Sequence, residues 1–175
     1  MNINSLNIVS KLVIAWDLDG TLIDSLHRVS YKNNGEFDLN YWIEHSTEEY
    51  IMKDSLMPLS ALFYEFQKTG FKQICVTARD LNESDFKFFK KHNLNFDMIL
   101  HREDSKELDD ILKSKKLKSY LEEEGRIPFL AFDDKQENLE VFDKFSFRTM
   151  HARYLNEKLL RNSFEELDFK PSSFL

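Results

Sequence analysis

The stretch LVIAWDLDGTLIDS, residues 12–25, constrains the fold more than any other part of the chain. Leu12, Val13, Ile14, Ala15 and Trp16 form an unbroken apolar run, the mark of a strand covered on both faces in a parallel sheet. Asp17 and Asp19 follow at its end, and in extended chain side chains at i and i+2 point the same way. Gly20 permits a sharp exit, and Thr21 brings a hydroxyl beside the carboxylates. Two such carboxylates repel unless something positive stands between them. A hard divalent cation with oxygen ligands, Mg²⁺ above all, meets that need.

The remaining pattern alternates strands with helices. Leu59, Leu62, Phe63 and Phe66 recur at helical spacing up to Gly70. The run Ile74-Cys75-Val76-Thr77 reads as a second strand and is followed by Ala78-Arg79-Asp80. Helices are predicted from Glu83 to Asn93 and from Asp109 to Glu124, with a third strand at 96–100 between them. A fourth strand at 129–132 stops at Asp133-Asp134, a helix carries Leu139, Val141 and Phe142, and a last strand at 145–150 precedes a helix at 154–167. Residues 1–10 and 170–175 read as loosely held ends. This alternation predicts an α/β fold, a doubly wound parallel sheet, whose ligands bind beyond the carboxyl ends of the strands. Asp17/Asp19, Thr77/Arg79 and Asp133/Asp134 then converge on one edge. The expectation is a single domain over 1–175 with a small cap insertion at about 24–57. The face of the last helix, with Tyr154, Leu155, Leu159 and Leu160, is expected to close the domain's own core rather than dock a partner.

Composition excludes several classes. With 42% hydrophobic and 31% charged residues the chain is globular. No apolar stretch reaches the roughly 18 residues of a membrane span, and the first residues lack the pattern of a signal peptide, so the expectation is a cytoplasmic protein with no membrane partner. The lone Cys75 cannot form an intrachain disulfide, and without a Cys pair a zinc site is not expected. A net charge of −7 argues against a stable nucleic-acid complex; a local basic pocket could still meet one strand end transiently.

Together these motifs resemble the haloacid dehalogenase superfamily of phosphotransferases: DxDGT at 17–21, a strand-ending Thr77, a helical lysine, and the Asp133-Asp134 pair. A closer likeness is to the 3′-phosphatase domain of phage polynucleotide kinase/phosphatase. Its features appear here as Arg28 after the first motif, Arg79 after Thr77, and Asp109 four residues before Lys113. Lys113 is preferred among the lysines at 113–118 because of Asp109 and because Leu117 and Leu121 continue one helix face; Lys116 is the second choice.

The resemblance implies a division of labour. Asp17 attacks phosphorus, forming an aspartyl phosphate. Asp19 protonates the leaving oxygen and later deprotonates the attacking water. Mg²⁺ is held by Asp17, the Asp19 carbonyl and one or both of Asp133 and Asp134. Thr77 and Lys113 bind the phosphoryl oxygens. Arg28 and Arg79 are candidate substrate-binding residues, since a guanidinium grips phosphate bidentately. Tyr41 and Trp42 are read as packing rather than base-stacking, and His27 as a local hydrogen-bonder. The activity implied is a Mg²⁺-dependent phosphomonoesterase that removes 3′-phosphates from polynucleotide or nucleotide ends, with a phosphorylated nucleic-acid end or nucleotide as transient substrate. The alternatives are a 5′-nucleotidase or other small-molecule phosphatase and, from a different class, a non-catalytic binding module on the same fold. No GxxxxGK[ST] loop occurs, so the kinase half of the bifunctional enzymes is not part of this chain.

Overall fold

A computed structural model describes residues 10–103 and 107–166; the ends at 1–9 and 167–175, including the expected loose lead-in and tail, lie outside the described residues. The apolar run becomes β1 (Leu12–Trp16), the centre of a five-stranded parallel sheet with β4 (Lys72–Val76), β5 (Met98–Leu100), β6 (Ile127–Asp133) and β7 (Arg148–His151) in the order β5-β4-β1-β6-β7. The sheet confirms the predicted fold class. From β1 the chain steps outward to β4 and β5 on one side and later returns to β6 and β7 on the other. That reversal is a topological switch point, where such sheets open a crevice at their carboxyl ends.

Why β1 is apolar at every position follows from what lies on its two faces. Ile14 and Trp16 are fully buried with Phe63, Phe88 and Phe132. Val13 and Ala15 are buried on the other side with Ile74, Val76, Leu117 and Phe142, as the alternation of strand side chains requires. The Trp16 ring stacks on Phe132 at 4.2 Å and 8°. Its Nε1 donates to Gln73 Oε1 at 3.0 Å, which satisfies the indole's only polar group inside the core. Each fully buried large side chain of this kind contributes about 1.5–3 kcal/mol.

The helices are α3 (Ser60–Gln67), α4 (Glu83–Lys91), α5 (Asp109–Glu124), α6 (Gln136–Lys144) and α7 (Ala152–Glu166). α4 begins with a reciprocal capping box between Asn82 and Asp85. The segment expected to form a cap opens and closes with a short antiparallel arm, β2 (Ile23–Asp24) against β3 (Ser55–Leu56). Between them stand a 3-10 turn at Leu26–Arg28 and two short helices, α1 (Leu39–Glu44) and α2 (Glu48–Ile51).

Several strand boundaries differ from expectation: β4 spans Lys72–Val76 rather than 74–77, β5 spans Met98–Leu100 rather than 96–100, and β6 and β7 also shift. β6 starts two residues early and includes Pro128. Val13 pairs with Pro128 but Ile14 pairs with Leu130, so the register shifts around Phe129; a bulge of this kind accommodates a residue that cannot donate to the ladder. The last strand begins at Arg148 because Phe145 and Phe147 both donate their N–H to the Phe142 carbonyl, closing α6 through Ser146 at φ 65°. α7 uses Ala152, Leu155 and Asn156 against the body of the domain. Tyr154, Leu159 and Leu160 stay exposed at 65%, 37% and 50%, so only part of the predicted face closes the core. No described helix is long and apolar enough to cross a membrane.

Candidate active site

The carboxyl ends of β1, β4 and β6 bring the predicted residues together. Asp17, Asp133 and Asp134 each place a carboxylate oxygen within 4.8 Å of the others. Lys113, from the first turns of α5, is 2% exposed and donates to Asp17 Oδ1 at 2.7 Å and Asp133 Oδ2 at 2.6 Å. Lys116, the second choice, pairs at the surface with Glu103. The lysine at this site is therefore Lys113. Leu117, buried on the same helix face, is what turns it inward.

The Asp pair divides its work. Both oxygens of Asp133 are occupied: Oδ2 by Lys113, and Oδ1 by the Lys135 backbone N–H at 2.9 Å and Asn138 Nδ2 at 3.0 Å. Asp133 is thus a fully hydrogen-bonded anchor at the start of α6. Among the described residues Asp134 pairs only with Arg153, at 3.7 Å. Its Oδ2 lies 2.8 Å from where a Cβ on Gly20 would stand, and Gly20 has φ +76°. The glycine of the first motif is required here twice, for the left-handed turn and for the approach of Asp134.

Burial lifts the Asp17 carboxyl to about 8, against the pull of Lys113 and with the push of Asp133. Burial likewise raises Asp134, helped by the Asp133 charge. Lys113 is held charged, its pKa raised by Asp17 and Asp133 despite the cost of burial. Three carboxylates with one ammonium leave negative charge in excess, in the oxygen-donor surroundings that suit a hard divalent cation. The residues present fit Mg²⁺.

Asp19 is engaged differently. Its Oδ1 accepts from Ser25 Oγ at 2.6 Å and from Arg79 Nη1 at 3.3 Å, so its carboxylate stands outside the cluster of three. Thr77 ends β4 with its Oγ accepting the Arg79 N–H at 3.1 Å; its hydroxyl proton remains to be donated. Thr21 Oγ donates to Asp17 Oδ2 over a long 3.4 Å.

The two candidate substrate-binding arginines are both engaged by carboxylates. Arg28 is fully buried: Nε and Nη2 donate to Asp54 at 2.9 and 2.7 Å, and Nη1 to Ser46 at 3.3 Å. Arg79 bridges Asp19, Asp54 and Asp85, with Nη2–Oδ distances of 3.3 Å to Asp54 and 2.8 Å to Asp85. Desolvating a guanidinium is tolerated only with such pairing. Asp54 also accepts from His27 at 2.9 Å. Neither Asp54, Ser25, Asp85 nor Asn138 was singled out from sequence; Asp85 alone carried a signal, as the third residue of a capping box.

Compared with known proteins, residues 3–167 match the family described as Bacteriophage T5 5′-deoxynucleotidase. The chain belongs to that family. A 5′-deoxynucleotidase of Escherichia phage T5 is 28% identical over 173 residues, covering 86% of this chain and 70% of the relative. This member of the T5 5′-deoxynucleotidase family also shares its fold with haloacid dehalogenase-like enzymes. A hydrolase of that kind from Streptococcus pneumoniae superposes with a TM-score of 0.59 at 16% identity, over 80% of this chain and 83% of the other. CbbY from Rhodobacter sphaeroides in complex with phosphate gives 0.57 at 18% identity, over 78% and 84%. The Pnkp1/Rnl/Hen1 RNA repair complex gives 0.56 at 21% identity, over 80% of this chain but 42% of that one. The fold is that of haloacid dehalogenase-like enzymes, and the family to which the chain belongs is described as a 5′-deoxynucleotidase family.

Proposed function

We propose that the protein is a Mg²⁺-dependent phosphomonoesterase that releases phosphate from deoxynucleoside 5′-monophosphates. The observation that carries the chemistry is the cluster of Asp17, Asp133 and Asp134 bridged by buried Lys113. The substrate class is supported by the T5 relative. The 3′-phosphatase reading comes second, because the two arginines on which it leaned are occupied by Asp54, Asp85 and Asp19.

In this reading Asp17, Asp134 and the Asp19 carbonyl would hold Mg²⁺, with Asp133 bracing them. The cation supplies charge neutralisation for the transferring group and keeps Asp17 ionised. Lys113 holds Asp17 Oδ1, leaving Oδ2 the freer oxygen to attack phosphorus. Asp17 gains the P–O bond as the ester P–O bond breaks, and Asp19 gives its proton to the leaving 5′-oxygen. Ser25 and Arg79 both bind Asp19 Oδ1, so Oδ2 carries the transferable proton. Asp19 then accepts a proton from the water that cleaves the aspartyl phosphate and returns Asp17. Thr77 donates its hydroxyl proton to a phosphoryl oxygen, and Lys113 balances the charge that develops there.

The test is competition. The purified protein with Mg²⁺ receives equimolar 3′-phosphorylated oligodeoxynucleotide and thymidine 5′-monophosphate. Preferential release from the mononucleotide is the expected result; preferential loss of the 3′-phosphate overturns the assignment. Asp17→Asn is expected to lower kcat by about 10⁴ or more.

A further inference from the structure

The cap carries aromatic surface that neither the core nor the phosphate chemistry uses. Tyr31 and Phe37 face each other across an isolated antiparallel bridge. The turn between them is closed by Gly35 N to the Lys32 carbonyl at 2.9 Å and Lys32 N to the Glu36 carbonyl at 2.8 Å. This is the Asn33-Asn34-Gly35 turn, with Gly35 at φ +82°. The hairpin fixes both rings in place, 6.5 Å apart and edge to face, yet they are 66% and 42% exposed. Phe37 continues to Trp42 at 6.0 Å. Scattered exposed apolar residues need no explanation, but three neighbouring rings of which two stand exposed do.

Trp42 joins this cluster to the reacting centre. Its ring lies 4.4 Å from Arg28 Cζ and 5.5 Å from Arg79 Cζ. Arg79 in turn is 3.3 Å from Asp19 Oδ1. The Arg79 guanidinium therefore stands between Trp42 and the carboxylate that meets the leaving oxygen, with Phe37 and then Tyr31 continuing outward from Trp42. In a nucleoside 5′-monophosphate one sugar separates the ester oxygen from a planar base, which has a π face whatever its identity.

We infer that Tyr31, Phe37 and Trp42 form the nucleobase site, in which the base of a deoxynucleoside 5′-monophosphate rests against the cap's rings while its phosphate reaches Asp17. This rests on the nucleotidase reading above. Stacking on ring faces tolerates all four bases, since every base has a π face, so the site selects for the presence of a base rather than its identity. Arg28 and Arg79, fixed against Trp42, keep that ring from turning away. The mononucleotide sits between a rigid charged floor and an aromatic rim.

The experiment compares kcat/KM for thymidine 5′-monophosphate with that for 2-deoxyribose 5-phosphate, which lacks only the base. The parent protein is expected to favour the nucleotide by at least tenfold. Phe37→Ala and Tyr31→Ala are each expected to cut that ratio about fivefold or more, through KM, while Phe37→Tyr restores it. General damage to the fold lowers both substrates together and leaves the ratio at the parent's value, as does a cap whose rings are mere packing; an unchanged ratio in both alanine variants overturns the base site. A parent ratio near one, with good hydrolysis of both compounds, overturns the base site and leaves the nucleotidase reading standing. Failure of the parent to hydrolyse any deoxynucleoside 5′-monophosphate while it cleaves 3′-phosphorylated oligonucleotide overturns both.

Discussion

Asn156 Nδ2 donates to the Thr21 carbonyl at 3.0 Å, tying α7 to the turn that follows the catalytic strand. The same side chain reaches the Gly20 carbonyl at 3.4 Å and accepts the Leu59 N–H at 2.8 Å. It is 4% exposed, so none of these groups has water to replace it. Removing one partner of a buried hydrogen bond costs about 1–3 kcal/mol. Asn156→Ala is expected to lose about 2 kcal/mol in urea unfolding, and Asn156→Asp to lose more, because it sets an acceptor against two carbonyls. A loss within error of zero for both would mean that the turn is held without α7.

Gly20→Ala tests the approach of Asp134. A left-handed residue other than glycine costs about 1–2 kcal/mol, and the new Cβ would stand 2.8 Å from Asp134 Oδ2. Asp134 can swing aside, so the larger effect is expected on metal use. The Mg²⁺ concentration for half-maximal activity should rise about tenfold or more in a metal titration, with only a modest fall in stability.

How much of this was legible depended on the distance over which a residue finds its partner. β1 and the ends of β4 and β6 could be read because an apolar run covered on both faces is followed at its carboxyl end by polar residues, as Asp17, Thr77 and Asp133 show. Lys113 could be chosen over its neighbours because Leu117 one turn later marks the inward face. Asp54 could not: its partners Arg28 and Arg79 lie 26 and 25 residues away on other elements. The same ignorance made both arginines look available. A sequence displays a charge and conceals what neutralises it. Pro128 concealed a longer β6 for a different reason, since proline argues against a strand unless a bulge accompanies it.

Asp54 ties the 3-10 turn at Leu26–Arg28 to Arg79 beyond β4, and its loss should show this. It accepts from His27, Arg28 and Arg79 and has no exposed side-chain surface. Asp54→Ala leaves two buried guanidiniums short of an anion, and breaking a buried pair in this way costs about 3–5 kcal/mol. Arg79 also binds Asp19, so kcat should fall with stability. Asp54→Asn, which keeps the acceptor oxygen, is expected to recover part of the stability in thermal unfolding. Equal stability of Asp54→Ala and the parent would remove the anchor role.

Asp109 offers a readout of pH outside the cluster of three carboxylates. Burial raises its carboxyl, but the bond and charge of Lys135, with Arg102, outweigh burial and hold it below the ordinary range. The contacts are 2.8 Å to Lys135 Nζ and 2.7 Å to Arg102 Nη2. A carboxyl whose folded pKa is depressed adds stability that is fully present above its unfolded pKa, near 3.8, and is lost as pH falls through the lower folded value. The difference in stability between the parent and Asp109→Asn should therefore be constant from neutral pH down to about 5. It should shrink through the range below 4 and vanish once Asp109 is protonated in both states. Urea unfolding of both proteins across that range gives the curve. A difference that grew as the pH fell would have the wrong sign for a depressed carboxyl and would show that Asp109 is not held by these two cations in solution.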